Sequence, residues 1–88
     1  MQKIVCDFQM FDVNQIIYIA DIETGKVEIV ATVPVEQLVE TLATISNNKQ
    51  IFSLLINGNK SFGNELAKQI IEYSKTHYSE NILEIEVK

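Results

Sequence analysis

The sequence has 88 residues, 47% hydrophobic and 22% charged, and its 12 acids against 7 basic residues, all of them Lys, leave a net charge of -5. This describes one globular domain over 1–88 and excludes a second core, a low-complexity chain and a strongly basic nucleic-acid binder, the last because there is no Arg to read phosphate or guanine. A domain this small buries only roughly 60 to 65% of its unfolded surface, so association with a partner would add stability.

The first predicted strand covers residues 3–11, with Ile4, Cys6, Phe8 and Met10 on one face and Val5, Asp7, Gln9 and Phe11 on the other. Asp7, Gln9 and Asp12 break this apolar run, so it is not a secretory signal. Cys6 is the single cysteine and can form no internal disulfide; alternating with Ile4 and Phe8, it reads as a small core residue and not as a nucleophile. Asp12-Val13-Asn14 connects to a second strand over 15–20, dense in Ile. A hairpin through Asp21-Ile22-Glu23-Thr24-Gly25-Lys26 follows, with Gly25 where a positive φ is needed, and alternation resumes in Val27, Ile29, Ala31 and Val33. Three strands therefore form a meander.

Pro34 suits the first position of a helix, and Val35, Leu38, Val39, Leu42 and Ile45 form its apolar stripe, with Asn47 and Asn48 as the stop. Residues 50–56 are apolar on both faces, as a central strand requires. After Asn57-Gly58-Asn59-Lys60, Asn59 or Ser61 caps a second helix reaching about His77, with Phe62, Leu66, Ile70 and Tyr73 buried. Residues 81–87 alternate again, Leu83, Ile85 and Val87 opposite Ile82, Glu84 and Glu86. No run approaches the ~18 apolar residues of a membrane span.

The order is βββαβαβ, an α+β two-layer domain. Two right-handed crossovers place both helices on one face of a five-stranded mixed sheet of order 3-2-1-4-5, in which only the second strand is antiparallel to the rest. The ends of the first and fourth strands then flank a crevice, lined by 11–14 and by Asn57, Gly58, Asn59, Lys60 and Ser61. The helix start beside Lys60 offers N-H groups to an anion, but Asn64-Glu65 replaces the Lys and hydroxyl of a nucleotide-binding loop, so the plain reading is a capped turn. His77 has no second His or Cys at ligand spacing and reads as a surface imidazole; no metal or cofactor is expected. Ser61, Ser74 and Ser79 stand in no nucleophile pattern.

The element order, with Asp7 in the middle of the first strand (Ile4-Val5-Cys6-Asp7), resembles the ribonuclease H-like fold of Holliday-junction resolvases and many nucleases. The resemblance implies carboxylates holding two metal ions. Asp7 matches the first, Asn57 and Asn59 stand where the second belongs, and the last belongs on a helix beyond the fifth strand, so catalysis is not expected. Asp7-Phe8-Gln9-Met10-Phe11 with Ile56-Asn57-Gly58-Asn59 is also similar to small bacteriophage proteins of unassigned function, which implies the host cytoplasm.

If the helices cover Ile4, Cys6, Phe8, Val27, Ile29, Leu83 and Ile85, the uncovered face carries Val5, Phe11, Ile17, Ile19, Val30, Phe52, Leu54 and Ile82, ringed by Asp7, Gln9, Glu28, Glu84 and Glu86. Such a patch predicts a protein partner, most simply a second copy, meeting through this face or an edge strand, and neither nucleic acid nor membrane. The alternatives are an acidic inhibitor of a nucleic-acid-binding enzyme, with Glu72, Glu80, Glu84 and Glu86 in place of phosphates, and a relic nuclease or anion binder.

Overall fold

A computed structural model describes residues 1–7, 14–79 and 82–88. Strands β1 (Gln2–Asp7), β2 (Asn14–Asp21) and β3 (Val27–Pro34) form the expected meander. Helix α1 (Leu38–Lys49), strand β4 (Ser53–Asn57), helix α2 (Lys60–His77) and strand β5 (Glu84–Val87) follow. The sheet order is β3-β2-β1-β4-β5, with β1 antiparallel to β2 and parallel to β4, and β4 parallel to β5.

Local chemistry explains most boundaries. Gly25 turns the hairpin at φ 74, and Asp21 Oδ1 accepts from the N-H groups of Glu23 at 2.9 Å and Thr24 at 3.3 Å. Those N-H donors, in that order, hold the Asp21 carboxyl below its ordinary range, and the N-terminal ammonium adds to the effect. Because the folded value is the lowered one, this turn's contribution is present above the ordinary aspartate range and is lost as pH falls through the lowered value. The Glu23 and Thr24 amide shifts should titrate with a midpoint below that of an unstructured Asp, and Asp21→Asn should remove the step.

Pro34 begins a 3-10 turn, Val35–Gln37, and not α1 itself; no side chain caps this turn, and regular helix starts only at Leu38. Helix α1 also runs past Asn47 and Asn48 and ends at Gln50, which takes the left-handed conformation (φ 56). Ser46 closes that exit: its hydroxyl donates to the Ile51 carbonyl at 2.6 Å and its carbonyl accepts from the Ile51 N-H at 3.2 Å. Asn59 caps α2, accepting from the Phe62 N-H at 2.9 Å.

The core lies between the sheet and the two helices. Ile4 and Cys6 of β1, Ile17 and Ile19 of β2, and Leu54 and Ile56 of β4 pack with Leu38, Leu42, Leu66 and Ile70 of the helices. Register explains the set: Ile4 lies between Ile19 and Leu54, and Cys6 between Ile17 and Ile56. The Cα extents of 34 × 30 × 20 Å fit one layer of sheet and one of helix. Burial, followed by the charge of Asp7, pushes the Cys6 thiol up to about 12, so it stays protonated and inert at neutral pH.

The expectation that Ile17, Ile19 and Leu54 face away from the helices is therefore corrected. All three belong to the helix side, because antiparallel pairing sets the odd residues of β2 beside the even residues of β1. Val30 packs partly against the same core. Val27 and Ile29, expected beneath the helices, are instead 61% and 65% exposed. The cause is a β-bulge: Ile17 pairs with Ala31 but Tyr18 pairs with Ile29, so Val30 is the extra residue and alternation reverses across it.

Candidate functional site

The ends of β1 and β4 lie side by side, as the topology requires; of the residues expected to line a crevice there, 11–13 lie outside the described residues. Asp7 and Asn57 are register partners, and the Asn57 side-chain amide donates to Asp7 Oδ1 at 3.0 Å. Burial first, then the nearby Asp7 carboxylate, raises the Tyr18 pKa. Asp7 thus accepts a bond from an amide and lies near a phenol. Among the described residues no three His, Cys, Asp or Glu side chains converge to hold a metal ion.

The sequence-predicted anion loop, Asn57 to Ser61, follows β4 at this end of the sheet, and donors in it and just after it are already committed. The Gly58 N-H donates to the Lys88 carbonyl at 3.0 Å, Phe62 N-H to the Asn59 side chain, and Gly63 N-H to the Asn59 carbonyl at 2.8 Å. Gly58, at φ 141, supplies a backbone shape few other residues adopt. This is the geometry of a capped turn tied to the end of β5. His77, exposed near the end of α2, stacks on Tyr73 with ring centroids 3.9 Å apart, and its Nδ1 lies 3.0 Å from the Tyr73 carbonyl oxygen.

The sheet face opposite the helices is the larger feature. Register places Val5, Tyr18 and Ile29 in one row across it, with Leu55 and Glu86 continuing the row beyond Val5. Lys3, Ala20 and Val27 make a second row, and Asp7, Ile16 and Thr32 a third. Val5 is buried by its neighbours, and Ile16, Tyr18, Ala20 and Leu55 are half-buried. Lys3 Nζ lies 3.6 Å from a Glu86 carboxylate oxygen, an ion pair that spans β4. Among the described residues no helix packs on this face.

On the β3 side of this face Val27 and Ile29 are more than half exposed, as are Met1 before β1 and Ile22 after β2. The Ile22 N-H donates to the Met1 carbonyl at 3.0 Å, which joins the two chain segments there. Of the residues expected on this face, Val5 lies on it and Phe11 falls outside the described residues. Phe52, half-buried, and Ile82, 83% exposed, precede their strands and line an open groove of about 550 Å³ with Met1, Gln50 and Glu84. Ile16, Tyr18, Leu55 and Ile29 were the residues that sequence reasoning missed. Tyr18 was the available signal, since an amphipathic phenol belongs on the wetter side of a strand whose other face carries Ile17 and Ile19.

The acids do not gather. Glu84 and Glu86 share the uncovered face through their pairing with Ser53 and Leu55, Glu72 lies on α2 in the other layer, and Glu80 is outside the described residues. No known family model matches the chain, and no curated protein matches it at a significant level. No helix among the described residues is long and apolar enough to cross a membrane.

Proposed function

We propose that this chain is a non-catalytic protein-interaction domain that associates with itself through the uncovered face of its sheet. One observation carries this reading: Val27 and Ile29, large hydrophobic side chains on that face, are exposed to solvent. The β-bulge at Val30 turns Val27 and Ile29 outward, an arrangement that costs burial and is rational where a partner restores it. The strand order, the antiparallel β2 and Asp7 on the central strand support reading the chain as a pared-down ribonuclease H-like domain of the small bacteriophage type. In that reading Asn57, the register partner of Asp7, stands where a second acid belongs.

Sedimentation velocity tests the association. The wild-type chain is expected to sediment as a dimer at micromolar concentration, with little change between low and high salt because apolar side chains form most of the contact. Ile29→Asp should shift it to monomer with an unchanged far-UV spectrum. A wild-type chain that stays monomeric up to ~100 μM, below the weakest affinities useful for a specific dimer, overturns the reading.

A further inference from the structure

We propose that two copies join along β3, pairing antiparallel about a two-fold axis so that two five-stranded sheets become one. This rests on the self-association reading above and places the contact at the β3 margin of the uncovered face, where Val27 and Ile29 are exposed. The two edges of the sheet differ. β5 has four residues, with the exposed acids Glu84 and Glu86 among them. β3 has eight residues, Val27–Pro34, and no lysine, the residue that most often guards an edge.

The main chain of β3 makes the stronger argument. The Asp21 N-H donates to the Lys26 carbonyl at 2.9 Å, which makes this the hydrogen-bonded pair that opens the β2–β3 ladder. Bonded and non-bonded pairs alternate in an antiparallel ladder, so Ala20, Tyr18, Ile16 and Asn14 fall at the non-bonded positions of β2. Their β3 partners are Val27, Ile29, Thr32 and Pro34. The backbone groups of these four residues point away from β2, toward the open edge. Their side chains share the uncovered face, where Val27 and Ile29 are mostly exposed. Val27 and Ile29 thus present both outward backbone groups and exposed apolar side chains.

The self-complementary register of β3 favours a second copy as the occupant, and its low charge permits one. Each chain carries a net charge of -5, so two copies meet best where ionisable groups are fewest, and β3 holds one, Glu28. A strand pairs with itself about a two-fold axis only when antiparallel. With the axis between Val30 and Ala31, Ile29 faces Thr32 of the second copy, Val27 faces its Pro34, and Glu28 faces Val33 instead of its own symmetry mate. Ile29 and Thr32 both have outward backbone groups and can exchange two hydrogen bonds. Pro34, which has no N-H to give, falls at the end of the seam. Helices of both copies lie on the same side of the joined sheet, and the uncovered faces merge.

Amide hydrogen exchange on the full chain, at concentrations below and above the association midpoint, tests the seam together with two variants followed by sedimentation. The Ile29 and Thr32 amides should exchange at least tenfold more slowly in the associated state. Thr32→Pro, which removes an outward N-H without touching the β2 ladder, should weaken association at least tenfold, whereas Leu55→Asp, two strands beyond β2, should leave it nearly unchanged. If Thr32→Pro fails to fold, the wild-type exchange decides alone. A dimer whose Ile29 and Thr32 amides are indifferent to concentration, and which Leu55→Asp dissociates, overturns the seam and leaves the interaction reading in place. A monomer at all concentrations overturns both.

Discussion

Ile17→Lys is expected to leave the chain unfolded at 25 °C, while Ile16→Lys, one residue away, is expected to fold. Ile17 is fully buried between Cys6 and Ala31 beneath the helices. Losing its aliphatic side chain alone costs ~2–5 kcal/mol. The ammonium adds a desolvation penalty that no carboxylate in the core offsets. A chain of this length has a total stability of only roughly 4–13 kcal/mol, so the sum removes most or all of it. Ile16 points to the uncovered face and is half-buried, directly across from Asp7. A lysine there keeps its stem on the sheet, carries its charge to water and faces a carboxylate, for a cost of about 1 kcal/mol or less. Far-UV circular dichroism and urea titration separate the two. If Ile17→Lys folds and Ile16→Lys does not, β2 is one residue out of the register described above.

Gly63→Val is expected to cost ~2–3 kcal/mol, with part recovered by Val87→Ala in the same chain. At Gly63 α2 approaches the sheet closely: a Cβ built there would lie 2.7 Å from Val87 Cγ1 and 3.3 Å from Ile56 Cγ2. Ile56 belongs to the core and cannot retreat, and the branched Val87 is held on β5 by the Lys88 N-H bond to the Ile56 carbonyl at 2.9 Å. Overpacking of this kind typically costs ~1–3 kcal/mol, more than the few tenths gained by removing glycine from a helix. Shortening Val87 to Ala opens space where the new side chain collides. Urea midpoints of the two single variants and the double variant should show a favourable coupling of about 1 kcal/mol or more. Additive costs would mean that α2 stands off from β5.

The order and neighbours of the elements were legible because their boundaries carry distinct chemistry. Gly25 marks the hairpin, Asn59 the start of α2, and two right-handed crossovers leave few sheet orders to choose from. Which face each strand turns inward was much less legible. Ile16 and Ile17, like Leu54 and Leu55, are apolar neighbours that point to opposite faces, so hydrophobicity alone does not set the parity of either strand. The bulge is harder still: Val27, Ile29, Ala31 and Val33 alternate perfectly in sequence, and nothing in that pattern announces the extra residue at Val30. The candidate site around Asp7 was half visible. The pairing of Asp7 with Asn57 follows from parallel β1 and β4, but the approach of Tyr18 depends on a register the sequence leaves open.

The place of β1 at the centre of the sheet has a consequence for how the chain is made. Its antiparallel neighbour β2 follows closely, but its parallel neighbour β4 begins only at Ser53. At ~5–20 residues per second, a ribosome needs roughly 2–9 s between completing β1 and starting β4. During that interval the nascent chain holds the future centre of its sheet as an open edge, with Ile4, Val5 and Cys6 uncovered. The emerging protein is therefore most prone to mispair along the strand that the finished protein protects best, and anything that delays translation between the meander and β4 lengthens that exposure.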